Sequence, residues 1–354
     1  MARFWAGLLL LLVLTGGVLQ ILGPPPIKQT TTISPSAPSA SGPVTHADQS
    51  PPRQVPVFGK TAETPKGLVE AIRPGRGTPG PVVDPDPAML EPVPNDPKSL
   101  LPRISIDGRA PMAAYAAGFD ASTLRPRVGV LMAGIGMSDS NSVAAIKTLP
   151  GGVTLAISPY APDMSRLLGV ARSNEHEYLV SVPMEPEGYP VNDPDDRVAL
   201  MTSLPPAENL TRLQAILGRL SGYVGVTNAL GYMHGERLIG MPDQFDAVLT
   251  EVGNRGLLFI DARTGQKIQA HAWNRSADLT LDDDPLDAAV LDKRLDALAR
   301  LALDKGSALG IVSAPRPVAV ERVTAWANTL ASKGLTLAPM SALVKPPAKQ
   351  DQAK

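Results

Sequence analysis

RVGVLMAGIGMSD, Arg127 to Asp139, passes from a charged residue through an apolar run into two closely spaced glycines and then a polar end suited to starting a helix. A short run that is apolar without alternation reads as a strand buried on both faces, and Gly134 and Gly136 punctuate it with a turn. In α/β proteins the loop beyond such a strand is where chemistry collects. Here it offers only Ala133, Gly134, Ile135 and Gly136, with no acid, base, nucleophile or ligand.

The same unit recurs down the chain. Apolar, β-branched runs stand at 128–132, 153–158, 178–182, 223–227, 256–260, 277–281, 308–312 and 335–339, with helix-like segments near 138–149, 162–173, 206–220, 242–255, 285–305 and 317–333. The 285–305 segment lines Leu291, Leu295, Leu298, Leu301 and Ala302 along one face, with Asp284 as its expected cap and Pro285 at its first position. Strand and helix alternating in this way call for an α/β fold. Seven or eight units fit a distorted (β/α) barrel of parallel strands better than an open doubly wound sheet.

Upstream the composition changes. Phe4 to Gly23 is almost wholly apolar and just long enough to span a bilayer, with Gln20 as its one interruption. No small-x-small cleavage site precedes Gly23, so residues 1–23 read as an uncleaved signal anchor, with a cleaved secretory signal as the alternative. Arg3 favours an amino end in the cytoplasm and the bulk of the chain in the periplasm of an inner membrane, or secreted there if the segment is cleaved. Residues 24–100, holding roughly half of the 37 prolines among Ser, Thr and Gly, read as an extended disordered tether. Gly59-Lys60-Thr61 is not a phosphate loop, because Gln54 stands where glycine is required. The barrel is expected over 101–345 and a disordered tail over 346–354.

Charge and cysteine content narrow the function. A formal net charge of −1 gives no field that would draw nucleic acid, and zero cysteines exclude disulfides and thiolate metal sites.

Taken in order, the strand ends read SPYAPD (158–163), PMEPEGYP (183–190), NALGYMHG (228–235), DARTGQ (261–266), DDDP (282–285) and SAPRP (313–317). With the phrases TLAISPYAPD, EYLVSVPMEPEGYP, VGVTNALGYM, RGLLFIDARTG and GSALGIVSAPRP in this order, the chain from about Leu101 to Val344 resembles the divergent polysaccharide deacetylases, a branch of the metal-dependent carbohydrate de-N-acetylases. The resemblance implies a role in envelope carbohydrate metabolism. In a member with an intact site it also implies a zinc ion that activates water against an acetamide.

This sequence departs from that pattern where the metal would be held. The family's aspartate pair falls on Ala133 and Gly134, and its histidines fall near Ser181, at Ala229 and near Ser313. A catalytic zinc needs about three imidazole, carboxylate or thiolate donors plus an open water position. Methyl, hydrogen and hydroxyl groups do not make that set, so no cofactor is expected. The expectation is therefore a membrane-anchored relative that binds a cell-envelope glycan or an envelope protein without hydrolysis. The alternative is an active de-N-acetylase with a non-standard site.

Several polar residues remain as candidates. Asp261 and Glu185 are the candidate catalytic carboxylates, although Asp261 beside Arg263 also reads as a structural ion pair and Glu185 as a solvated loop residue. Asn228 and Arg263 are candidates to contact substrate, with a turn role open for Asn228. Tyr160, Tyr189 and Tyr232 can stack on sugar or simply pack. His234 and His176 are the histidines nearest the strand ends, His46 lies in the tether, and Asp282 and Asp283 form an acidic loop.

Overall fold

The computed structural model describes residues 78–94, 96–268, 271–282 and 284–347. The expected anchor at 1–23, most of the tether, Asp283 and the end of the tail lie outside the described residues. Among the described residues no helix is long and apolar enough to cross a membrane.

The described residues form eleven strands: β1 Leu90–Val93, β2 Asp96–Pro102, β3 Arg127–Ile135, β4 Thr154–Ile157, β5 Tyr178–Ser181, β6 Gly225–Thr227, β7 Leu258–Asp261, β8 Trp273–Ser276, β9 Leu279–Thr280, β10 Ser307–Val312 and β11 Thr336–Leu337. Nine of them form one all-parallel sheet in the order β8-β7-β6-β5-β4-β3-β10-β9, with β11 beside the start of β3. The two ends of that order, β8 and β9, are consecutive in the chain. Residues 273–276 pair with β7, and then the amides of Asp278 and Leu281 donate to Leu309 and Ile311 of β10 at 2.8 Å each. One kinked passage of chain thus serves both edges and curls the sheet into the distorted barrel that the alternating pattern predicts.

Alternation sorts the side chains into two layers. Leu131, Ala133, Ala156, Leu179, Leu258, Ile260, Leu309 and Ile311 face inward. Val128, Val130, Met132, Leu155, Val180, Val226 and Phe259 face outward beneath the helices. Both layers are apolar, which is why these runs show no polar alternation in sequence.

The six expected helices form, with shifted ends. The last but one spans Ala288–Lys305, and its cap is Asp287, which accepts from the amides of Ala289 and Val290; Asp284 instead pairs with Arg316 at 3.3 Å. The 317–333 segment ends as an α-helix at Ala327 and finishes in a 3-10 turn at Ala331–Lys333.

The tether boundary at residue 100 requires correction. Residues 90–102 form a β-hairpin, and Val82, Met89 and Val93 are buried. Arg255 fastens this piece through Glu91 (2.9 Å) and the carbonyl of Pro102 (3.0 Å). Gly118 shows how tightly it docks: a Cβ there would stand 2.0 Å from the carbonyl oxygen of Thr78. Proline-rich composition concealed the hairpin, because beyond its own strand pairing it is held by residues distant in sequence, Arg255 above all.

The base of the barrel is sealed by segments from either end of the domain. Tyr115, Ala117 and Phe119 join Ala338, Met340 and Leu343 in the inner core. Among them lies Glu177, fully buried. It accepts from Thr154 Oγ1 (2.9 Å), Ser341 N (3.0 Å), Ala117 N (3.1 Å) and Ser341 Oγ (2.5 Å).

Candidate functional site

The opposite end of the barrel, beyond the strand C-termini, is where a (β/α) barrel keeps its site. There β3 gains one residue against β4: Met132 pairs with Leu155 and Ile135 with Ile157, leaving Ala133 and Gly134 opposite a single partner. Such bulges concentrate next to functional sites. Gly134 has φ +71°, and a Cβ on it would lie 3.0 Å from the carbonyl of Ser313. Gly134, one of the two positions where the resemblance implies an aspartate, is therefore held in a conformation that favours glycine.

In-register residues of a parallel sheet share a face, so the top inward layer can be read directly. Ser181 pairs with Thr227, Ser158 continues the register beside Ser181, and Ser313 follows the pair Val312–Met132 to lie beside Ala133. Ser158, Ser181, Thr227 and Ser313 are all fully buried. Their hydroxyls make a collar around the mouth. Thr227 Oγ1 accepts from the Ala229 amide (3.2 Å) and Ser158 Oγ from the Tyr160 amide (3.3 Å), whereas Ser181 Oγ and Ser313 Oγ have no partner. Sequence reasoning singled out Ser181 and Ser313 only as replaced positions. The collar becomes visible once register is known.

The candidate carboxylates are engaged elsewhere. Asp261 follows inward-facing Ile260 and turns to the other face of the sheet. It accepts from Arg263 N (3.0 Å) and Nε (3.1 Å) and from Asn228 Nδ2 (3.0 Å), and it forms a 2.9 Å ion pair with Arg263 NH2. Arg263 extends along the outer side of the barrel, lining a cavity with Phe245, Asp246 and Lys267. Of the two readings of Asp261, the geometry supports the structural pair. Glu185 is also buried, correcting its reading as a solvated residue. Thr202 donates to it from both N and Oγ1 at 2.7 Å, and Arg237 pairs with it at 2.8 Å.

Asn228 joins three segments: its Oδ1 accepts from the Ala262 amide (2.7 Å), and its Nδ2 reaches the carbonyl of His234 (2.7 Å) as well as Asp261. Tyr160 and Tyr189 bond within the mouth-side loop, to the carbonyl of Pro194 (3.0 Å) and to Asp196 (2.8 Å) respectively. Tyr232 is different. It is 44% exposed, its hydroxyl meets Asp282 Oδ2 at 3.4 Å and Arg316 NH2, and the guanidinium lies 5.8 Å from its ring centroid. Burial, with Asp282 alongside, pushes its hydroxyl up to about 12, so it remains a phenol.

His234 lies close enough to Asp261, Asp282 and Glu236 to feel their charges, yet burial outweighs them and holds its imidazole below the usual histidine range. Its Nδ1 is 3.8 Å from Glu236 Oε1 and its Nε2 has no partner. His176 is fully buried under β5, bridging the carbonyls of Val153 (2.7 Å) and Ile146 (2.9 Å) far from the mouth.

Among the described residues no group of three or more His, Cys, Asp or Glu side chains is placed to hold a metal ion. The groups at the mouth, four alcohols, the His234 imidazole and an Asp282 carboxylate already engaged by Ser313 N, Tyr232 and Arg316, do not fit a catalytic zinc, because alcohols keep their protons near neutral pH and give the ion no charge.

The family model for divergent polysaccharide deacetylases matches residues 130–344. Among solved structures, the crystal structure of an uncharacterized protein from Agrobacterium tumefaciens C58 is similar to this chain, with 30% identity and a TM-score of 0.64, covering 70% of this chain and 100% of that one. No curated protein matches. A barrel with this strand order, together with a family match across more than half of the chain, establishes that this protein belongs to the divergent polysaccharide deacetylases.

Proposed function

We propose that this is an envelope protein, held in the inner membrane by residues 1–23 with its barrel in the periplasm, whose deacetylase-like domain binds a glycan rather than hydrolysing an acetamide. The observation that carries this reading is the hydroxyl collar, two of whose members, Ser181 and Ser313, fall near the positions where the resemblance puts the family's histidines. It offers hydrogen bonds of the kind sugars use, and no group able to generate a nucleophile from water. Asp261 and Glu185, the carboxylates best placed in sequence to substitute, are buried and each is engaged by an arginine, Arg263 and Arg237.

The second reading, an active de-N-acetylase with a non-standard site, draws on His234, whose Nε2 is unpartnered among Asp261, Asp282 and Glu236. One experiment separates the two: the purified protein is equilibrated with zinc, assayed for metal content, and offered acetylated oligosaccharides. Saturable binding without acetate release is expected. Stoichiometric zinc together with released acetate would establish the second reading. An envelope protein recovered by crosslinking, with no glycan bound, would assign the same domain to a protein partner.

A further inference from the structure

Most strands of the parallel sheet are followed by a helix that packs on their outer side; the seam is the exception. β7 reaches β8 through residues 262–272, whose described members are not helical, and β8 passes into β9 with no helix between them. A cavity of about 450 Å³ is left in the wall there, bounded by the returning loop 265–268, by residues 274–278 and by Lys305, Ser307 and Lys345. Four cations line it, Lys267, Arg275, Lys305 and Lys345, against a single carboxylate, Asp278.

The arginine and the lysines stand differently. Arg275, with a side chain only 11% exposed, is committed to the wall: it donates to Ser307 Oγ (2.7 Å), to the Ser307 carbonyl (3.2 Å) and to Asp278 Oδ2 (3.0 Å). Asp278 is committed with it, because the same oxygen accepts from the Leu309 amide at 2.9 Å. These bonds tie β8 to the start of β10, ahead of the residues that β9 pairs. The lysines have no such duties. Lys305 Nζ is 3.6 Å from Asp278 Oδ1, too long for a hydrogen bond, and among the described residues neither Lys267 nor Lys345 has an ion-pair partner. All three are exposed, so each can turn its ammonium group into the cavity without breaking a contact.

These lysines come from segments far apart in sequence and meet at one hollow, in a chain whose formal net charge is −1. Asp304, the neighbour of Lys305, does not line the cavity, and with Arg275 offset by Asp278 the three lysine charges stay unbalanced. A cleft with low-dielectric walls concentrates such a field and gathers counter-ions. The chemistry of the donors narrows the choice of anion. A carboxylate is held best by an arginine fork, and the one fork here is already taken; ammonium groups are point charges with three donors each, which suits a tetrahedral, multiply charged oxyanion. Ser276 adds a hydroxyl to the lining.

We propose that this cavity is an anion site, in which Lys267, Lys305 and Lys345 hold the oxygens of a phosphate group, soluble or on a lipid head, beside the Arg275–Asp278 pair that braces the wall. None of the collar residues lines it, so the inference goes beyond the glycan reading and does not depend on it.

The test uses the full-length protein in a neutral detergent, with calorimetric titration of inorganic pyrophosphate in one arm and of dihexanoylphosphatidylglycerol in the other, dihexanoylphosphatidylcholine serving as the zwitterionic comparison. Two triple variants are compared with the wild type: Lys267→Gln/Lys305→Gln/Lys345→Gln at the cavity, and Lys98→Gln/Lys147→Gln/Lys333→Gln, which removes the same charge from elsewhere on the surface. Saturable one-to-one binding of pyrophosphate, weakened about tenfold or more in the cavity variant and unchanged in the other, is the expected result and identifies a soluble phosphate group. The same pattern with phosphatidylglycerol alone, and none with phosphatidylcholine, upholds the site and assigns it to a lipid head. Equal weakening in both variants overturns the proposal, because only overall charge is then at work. Binding that survives in the cavity variant, or the absence of binding to either phosphate probe, overturns it as well.

Discussion

Ser341 Oγ donates a 2.5 Å hydrogen bond to Glu177 Oε2 across 164 positions of sequence, while the Ala117 amide, from the opposite end of the domain, donates to the same oxygen at 3.1 Å. A single side chain at the start of β5 therefore fastens both the entry and the exit of the barrel.

Burial raises the Glu177 carboxyl above its ordinary value of 4.5, although its hydrogen bonds pull the other way. The folded protein then keeps this proton to higher pH than the unfolded chain does. Its contribution to stability is full below about 4.5 and is lost as pH rises through the folded value. Glu177→Gln abolishes that slope and costs about 1–3 kcal/mol at the acid end, since its amide NH2 faces donors, the deficit shrinking as pH rises. Urea denaturation of both proteins from about pH 4 to about pH 8 checks the sign; a stability difference, wild type minus variant, that rises with pH in this range would refute it.

Asp261→Ala leaves Arg263 without its buried counter-charge and Asn228 without an acceptor. A loss of about 3–5 kcal/mol is expected. If Asp261 acted in chemistry instead, the conservative variant Asp261→Asn would keep its stability and lose activity. Denaturant midpoints of both variants decide between the two roles.

Glu185→Gln retains the size but not the charge that Arg237 and Thr202 share. Stability should fall by about 1–3 kcal/mol. Chitotetraose affinity should be unchanged in the fraction that remains folded, as measured by calorimetry below the melting point.

Restoring the family's aspartates by Ala133→Asp/Gly134→Asp is not expected to restore a metal centre. Position 134 has positive φ and faces the Ser313 carbonyl, so strain of about 1–2 kcal/mol accompanies the new side chain. Zinc titration of the variant should show no stoichiometric tight site, and its melting temperature should drop.

A chain beginning at Leu101 lacks Val82, Met89 and Val93 from the core and the Glu91 partner of Arg255. That apolar burial is worth on the order of 5 kcal/mol, so this shorter chain should melt far below one beginning at Thr78. Equal melting temperatures would return the hairpin to the tether.

The barrel was legible because its strands are buried on both faces: each apolar run has a periodicity that only a covered parallel sheet explains. The bare loop at Ala133–Gly134 was legible for the same reason, as a place where chemistry was expected and absent. The 90–102 hairpin was not, since its prolines and charges carry no local signal and Arg255 lies over 150 positions away in sequence. β8 was hidden too. Trp273–Ser276 is half-buried and polar, and forms a strand only because β7 offers it an edge. The roles of Asp261 and Glu185 depended on partners such as Thr202 and Arg237 that no spacing rule brings together.

The passage from Trp273 to Leu281 has one more implication, for solubility. An open parallel sheet ends in two rows of unsatisfied amides and carbonyls that can recruit another chain. Here one passage of chain supplies the strand at each margin, Lys345 bridges Asn274 in both directions, and the Arg275 guanidinium covers the Ser307 carbonyl. Among the described residues the seam covers both margins of the parallel sheet, so crowding many copies along a surface would not by itself drive them to assemble through that sheet.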